Sequence, residues 1–149
     1  MQQFLCVTIV LLFAVLSNVQ SDMSKETEKI LADIGICKNE TGASDADIEE
    51  LHNRGIPTTK VGKCFNKCMF NRLEILKDGK LSPEGLIKVI EMDKSDLRAK
   101  DGKTLLDSMK DIIGECNKVT DTDECELTAK LRTCLNVAAK KREICPNVF

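Results

Sequence analysis

Eight cysteines and one histidine are the residues of this chain with the most chemistry to offer. Cys64 and Cys68 stand one helical turn apart, a spacing that suits either a metal site or two disulfides leaving one helix face. Zinc at such a pair needs further thiolates or imidazoles close by. No histidine stands near, and the single His52 excludes a two-histidine nuclease site as well as histidine-rich zinc sets. The pair therefore reads as part of a disulfide framework, whose paired cysteines cannot act as nucleophiles. Carboxylates such as Glu115 and Glu126 fall on helix faces expected to meet solvent. An enzyme is not expected, nor a metal, nor a cofactor.

That reading needs an oxidising compartment, and the N-terminus supplies one. Residues 1–21 carry no charged side chain, and an apolar run from Phe4 to Leu16 is too short to span a bilayer. We read this stretch as a secretory signal peptide cleaved after Ser21, followed by a single domain over 22–149. Secretion to the extracellular space follows. Cys6 leaves with the signal, so seven cysteines enter a compartment where thiols pair, and one is left over. Lys plus Arg number 22 and Asp plus Glu 24, a balance with no basic patch to suggest nucleic acid. Asn39-Glu40-Thr41 is an N-glycosylation sequon, expected on an exposed polar loop.

Six helices can position these residues. Met23, Thr27, Ile30, Leu31 and Ile34 share one face of a first helix, with Gly35 near its end and Cys37 directly after. Ser44 and Asp47 form a capping box for a short second helix closed by Gly55 and Pro57. A central helix from about Thr59 to Lys77 places Val61, Cys64, Phe65, Cys68, Met69, Leu73 and Leu76 on one stripe, and Asp78-Gly79 stops it. Ser82-Pro83-Glu84 opens a fourth helix with Pro at its first position, carrying Leu86, Ile87, Val89, Ile90 and Met92. Residues 93–103 read as a charged, solvent-facing connection. A fifth helix presents Leu105, Leu106, Met109, Ile112, Ile113 and Cys116 and ends near Asn117. The sixth starts at Asp121 or Asp123, presents Leu127, Leu131, Cys134, Leu135 and Ala138, and turns basic at Lys140 to Arg142. No strand is expected, so the fold class is all-α.

Cys125 and Cys134 lie nine residues apart on the sixth helix, about 13 Å along its axis and on opposite sides, too far to bond to each other. Cys116 is then the near candidate for Cys134, and Cys125 is free to reach the central helix. Geometry narrows the pairings without selecting one. The pattern Cys37-x26-Cys64-x3-Cys68-x47-Cys116-x8-Cys125-x8-Cys134, together with the phrase DGKLSPEGLIKVI, resembles the six-cysteine insect odorant-binding protein family of pheromone-binding and general odorant-binding proteins. The resemblance covers essentially all of 22–149. It implies six helices around an internal apolar cavity and the bridges Cys37–Cys68, Cys64–Cys125 and Cys116–Cys134. Cys145 is a departure from the six-cysteine pattern, and it either stays unpaired or links a homodimer.

The same resemblance implies a secreted carrier that binds a small apolar ligand (odorant, pheromone or similar) and carries it through aqueous fluid towards a membrane chemoreceptor. The alternative keeps the fold but places the carrier in saliva, venom, haemolymph or reproductive fluid. With no Trp or Tyr in the chain, and Phe65, Phe70 and Phe149 the aromatics after the signal, a pocket would be aliphatic with thioether patches. The expected wall is Phe65, Met69, Phe70 and Leu73 of the central helix, then Leu86, Ile87 and Ile90 of the fourth. Met109 and Ile113 of the fifth and Leu131 and Leu135 of the sixth complete it. Val148 and Phe149 are expected to fold back as a lid. His52, alone in a short polar helix, is a poor basis for acid-triggered release.

Overall fold

A computed structural model describes residues 25, 27–53, 55–92 and 104–142, with side chains at all of these except 90–92 and 105. The expected connection at 93–103, Cys145 and the Val148–Phe149 lid lie outside the described residues. The chain divides into two compact units, Met1–Ile36 and Cys37–Phe149. Helical residues run from 27 to 41 (α1), past both Gly35 and Cys37. The helix therefore ends later than the sequence suggests, at Gly42, whose positive φ of 72° suits a residue without Cβ. Asn39 sits on this helix, exposed, and not on a loop.

Within the second unit, α2 (Asp45–His52) starts at the expected capping box. The Ser44 hydroxyl oxygen accepts from Asp47 N–H, and the Asp47 carboxylate accepts from Ser44 N–H at 2.9 Å. The central helix, α3 (Lys60–Arg72), begins at Thr59, whose hydroxyl oxygen accepts from Gly62 N–H. It ends five residues before the expected Lys77. Glu74 adopts a left-handed conformation (φ 59°), Glu74 N–H donates to Asn71 O, and Ile75 N–H donates to Phe70 O at 2.8 Å. This pair of bonds is a Schellman motif with Glu in the place usually taken by Gly.

The residues beyond form a short β-hairpin, which corrects the expectation of no strand. Its strands β1 (Leu76–Lys77) and β2 (Lys80–Leu81) pair antiparallel, Leu76 opposite Leu81. Asp78 and Gly79 between them both have positive φ, as a two-residue hairpin turn requires. The Leu-Lys-Asp-Gly-Lys-Leu run carries that signal in the sequence, and its Asp-Gly pair serves as a hairpin turn and not only as a helix stop. The Asn117 side chain holds the open edge, accepting from Leu81 N–H at 2.7 Å and donating to Leu81 O at 3.2 Å.

Next come α4 (Pro83–Met92), α5 (Leu105–Cys116) and α6 (Glu124–Lys141). Pro83 takes the first helical position as expected. Thr104 caps α5, and Asn117 closes it. Asp123 is the residue that caps α6, its carboxylate accepting from Cys125 N–H and Glu126 N–H. The fold is all-α apart from the hairpin. All three bridges form as the resemblance implies, at Cα separations of 5.7, 4.6 and 5.7 Å for Cys37–Cys68, Cys64–Cys125 and Cys116–Cys134.

Candidate functional site

The apolar faces of α3, α4, α5 and α6 meet in one buried cluster together with the hairpin. Of the expected wall residues, Phe70, Leu86, Met109, Ile113, Leu131 and Leu135 lie in it, and Leu73 packs against it. Four of these, Leu86, Met109, Leu131 and Leu135, are almost fully buried. Phe65 is buried outside this cluster, while Met69 and Ile87 are half-buried. Ile90 lies in α4, its side chain outside those described.

The cluster also gathers residues that the sequence reading did not assign to the wall. Ile75, Leu76 and Leu81 arrive with the hairpin, and Ile112, Leu127 and Ala138 line the same helix faces. The missed signal for the first three was the Asp-Gly turn, which converts a supposed helix end into two inward-facing leucines. Leu106, expected on the apolar face of α5, is instead exposed.

The stripe on α3 is rotated from its expected position. Its buried residues are Gly62, Phe65, Asn66 and Phe70, whereas Val61 is exposed and both cysteines are half-buried. Two contacts account for the turn. A Cβ at Gly62 would stand 3.0 Å from the Thr59 hydroxyl and 3.2 Å from Asp47 Oδ1, so glycine lets the capping cluster close over the helix. Asn66 faces inward to meet Arg132 of α6, whose Nη1 donates to Asn66 Oδ1 at 3.3 Å.

Arg132 is the least expected residue here. Its Nη2 donates to Leu51 O at 3.1 Å and its Nε to Gly55 O at 3.2 Å. Burial lowers the pKa of this guanidinium. It donates to two backbone carbonyls and a side-chain amide, and the Leu51 carbonyl belongs to the last turn of α2, where backbone carbonyls favour a cation. Arg132 thus fastens α6 to the α2–α3 connection. The Asn66 Nδ2 and Ser108 Oγ atoms are buried without a hydrogen-bond partner.

A separate open cleft of about 520 Å³ lies between the starts of α2 and α3, lined by Ser44, Asp47, Glu50, Thr58 and Thr59 among others. Its carboxylates accept from backbone N–H groups and hydroxyls at the two helix starts. Asp47 Oδ1 accepts from the Thr59 hydroxyl at 2.5 Å, and Glu50 Oε2 accepts from Thr58 N–H at 3.1 Å. The Asp47 carboxyl is held below the usual carboxylate range, first by the Ser44 hydroxyl and then by the Thr59 hydroxyl. The polar groups of this cleft are engaged at the two helix starts, and the candidate site for an apolar ligand is the buried cluster.

Among the described residues, no group of three or more His, Cys, Asp or Glu is arranged to hold a metal ion. His52 is exposed at the end of α2. Glu115 is exposed and paired with Arg142 at 3.0 Å, whereas Glu126 is partly covered by its pair with Lys63 at 2.9 Å. What the cluster offers is apolar contact with little directional chemistry.

Comparison with known proteins places this architecture. General odorant-binding protein 28a of Drosophila melanogaster is 30% identical over 137 residues, 91% of this chain and 92% of that protein. General odorant-binding protein 19d of the same organism is 29% identical over 102 residues, 66% of this chain but only 64% of the relative's length. Among solved structures, odorant-binding protein dmelOBP28a from Drosophila melanogaster superposes with a TM-score of 0.64 at 28% identity, over 82% of this chain and 98% of that one. The family model described as PBP/GOBP matches residues 19–137. This chain belongs to the PBP/GOBP family.

Proposed function

We propose that this protein is a secreted carrier that takes up small hydrophobic ligands of the odorant or pheromone class and conveys them through aqueous fluid. The observation that carries the reading is the convergence of four helices on one apolar cluster with Met109 as its adaptable member. Such a surface suits long-chain alcohols, aldehydes, esters, fatty acids or terpenoids better than ligands that need aromatic stacking. Burying about 300 Å² of ligand at about 25 cal/mol per Å² gives roughly 7 kcal/mol before association costs, enough for micromolar binding.

The wall proposed for the ligand is the expected set, including Phe65, Met69, Ile87 and Ile90 beside the cluster residues. Val148 and Phe149 act as a lid. Delivery to a membrane chemoreceptor and a homodimer through Cys145 belong to the same proposal, as do removal of residues 1–21 and a glycan on Asn39. A fluorescent apolar probe displaced by aliphatic alcohols or fatty acids tests the core of it. Met69→Trp, Ile90→Trp and Met109→Trp should each weaken probe binding, and unchanged binding in all three would remove this wall. Deleting Asn147 to Phe149 should speed ligand release if the tail closes the site.

A further inference from the structure

Cys64 and Cys68 lie one turn apart on the same helix, so oxidation must choose which of them Cys125 takes. Chain entropy does not make that choice. Cys125 is 61 residues from Cys64 and only four fewer from Cys68, a difference that hardly alters the cost of closing the loop. Both thiols are also half-buried on the same α3.

Charge does distinguish the two registers. Three lysines flank Cys64 on α3, and each meets an acid at the start of α6: Lys60 with Asp123 at 3.8 Å, Lys63 with Glu126 at 2.9 Å, and Lys67 with Glu124. The acids themselves surround Cys125. Sliding α3 by one turn, which would bring Cys68 to the place of Cys64, also moves each lysine by four residues. Cys64 would then face Asp123, Lys67 would face Glu126, and Asn71 would face Glu124. Two of the three ion pairs disappear in the slipped register.

We propose that this charge ladder between α3 and α6 is a registration device that directs Cys125 to Cys64 and leaves Cys68 for Cys37. The acids are held in place because they occupy the cap and first turn of α6, where negative charge is favoured. With a small disulfide such as oxidised glutathione as oxidant, the Cys125 thiolate first attacks one of its sulfurs, the glutathione S–S bond breaks, one glutathione leaves as a thiolate and the other stays on Cys125 as a mixed disulfide. The Cys64 thiolate then attacks the Cys125 sulfur. The protein S–S bond forms as the bond to glutathione breaks, and glutathione leaves as a thiolate that takes a proton from the buffer. The ladder acts by holding the attacking sulfur opposite its target.

The test is oxidative refolding of the reduced full chain in glutathione buffer, quenched early by alkylation and mapped by peptide mass analysis. At about 0.01 M salt, with a screening length of about 30 Å, Cys64–Cys125 should exceed Cys68–Cys125 by roughly three- to tenfold, the preference two exposed ion pairs supply. At about 1 M salt, with a screening length of about 3 Å, the ratio should fall towards one. The variant K63E/K67E should invert or abolish the preference at low salt, and adding E124K/E126K should restore it. The neutral variant K63Q/K67Q, which introduces no repulsion and keeps the Lys60–Asp123 pair, should show a smaller preference and a weaker salt dependence than the natural chain. A ratio unmoved by salt in the natural chain, or unmoved by K63E/K67E, would overturn the proposal, as would a charge swap that does not restore it.

Discussion

Single residues in this protein carry loads that their type does not advertise. Glu74 occupies a left-handed backbone position that glycine tolerates and a Cβ resists. Glu74→Gly should therefore stabilise the chain by about 0.5–1 kcal/mol after glycine's own entropic cost, seen as a higher urea midpoint with unchanged slope. Asp47 joins the starts of two helices through Ser44 and Thr59. Its carboxyl pKa lies below the unfolded value because both hydroxyls favour the charged form. The resulting stabilisation is complete above the unfolded pKa and is lost as pH falls through the folded one. Asp47→Asn should thus cost stability at neutral pH, by about the 1 kcal/mol typical of a capping bond, and this difference should shrink when denaturation is repeated near pH 3.

At the level of elements, the hairpin is the piece that completes the core. The Schellman turn releases the chain from α3, the Asp78-Gly79 turn reverses it, and Leu76 and Leu81 bring two buried side chains to the cluster. Gly85 makes the arrangement possible, because a Cβ there would stand 2.1 Å from Glu74 O and 2.5 Å from its carbonyl carbon. No side-chain rotation relieves a collision with backbone. Gly85→Ala should cost at least about 2 kcal/mol, with a clear drop in Tm, whereas Gly114→Ala, with nothing within 4 Å, should be neutral or slightly stabilising. Equal Tm values for the two variants would mean that α4 does not pack against the Glu74 turn as described.

Across the whole molecule, the bridges tie segments that local forces leave far apart. Cys64–Cys125 closes a separation of 61 residues and Cys116–Cys134 one of 18. On the chain-entropy account, removing the longer loop costs about 4.3 kcal/mol and the shorter about 3.2 kcal/mol. The double variant C64S/C125S should accordingly melt lower than C116S/C134S, and the reverse order would show that native contacts around each bridge outweigh loop entropy. Either loss should weaken probe binding, since the bridges hold α3, α5 and α6 around the apolar cluster.

Local signals in the chain are enough for the existence of the helices, several of their starts and the inward faces of α4 and α6. The capping box at Ser44, an acidic N-cap at Asp121 or Asp123, Pro83 at a first position and the three-to-four spacing of apolar residues are local signals, complete within a few residues. The cysteine pattern went further, because its gaps match a family whose bridges then form between the corresponding residues. Where α3 stops and which way it faces depend on contacts made across the fold. Glu74 bends left-handed because Ile75, Leu76 and Leu81 gain burial by doing so, and no propensity at position 74 encodes that gain. Asn66 turns inward because its partner Arg132 lies 66 residues away, and Leu51 and Gly55, which share that guanidinium, lie 81 and 77 residues away. Local periodicity sees a hydrophobic stripe on α3, but the contacts that rotate it are made across the fold.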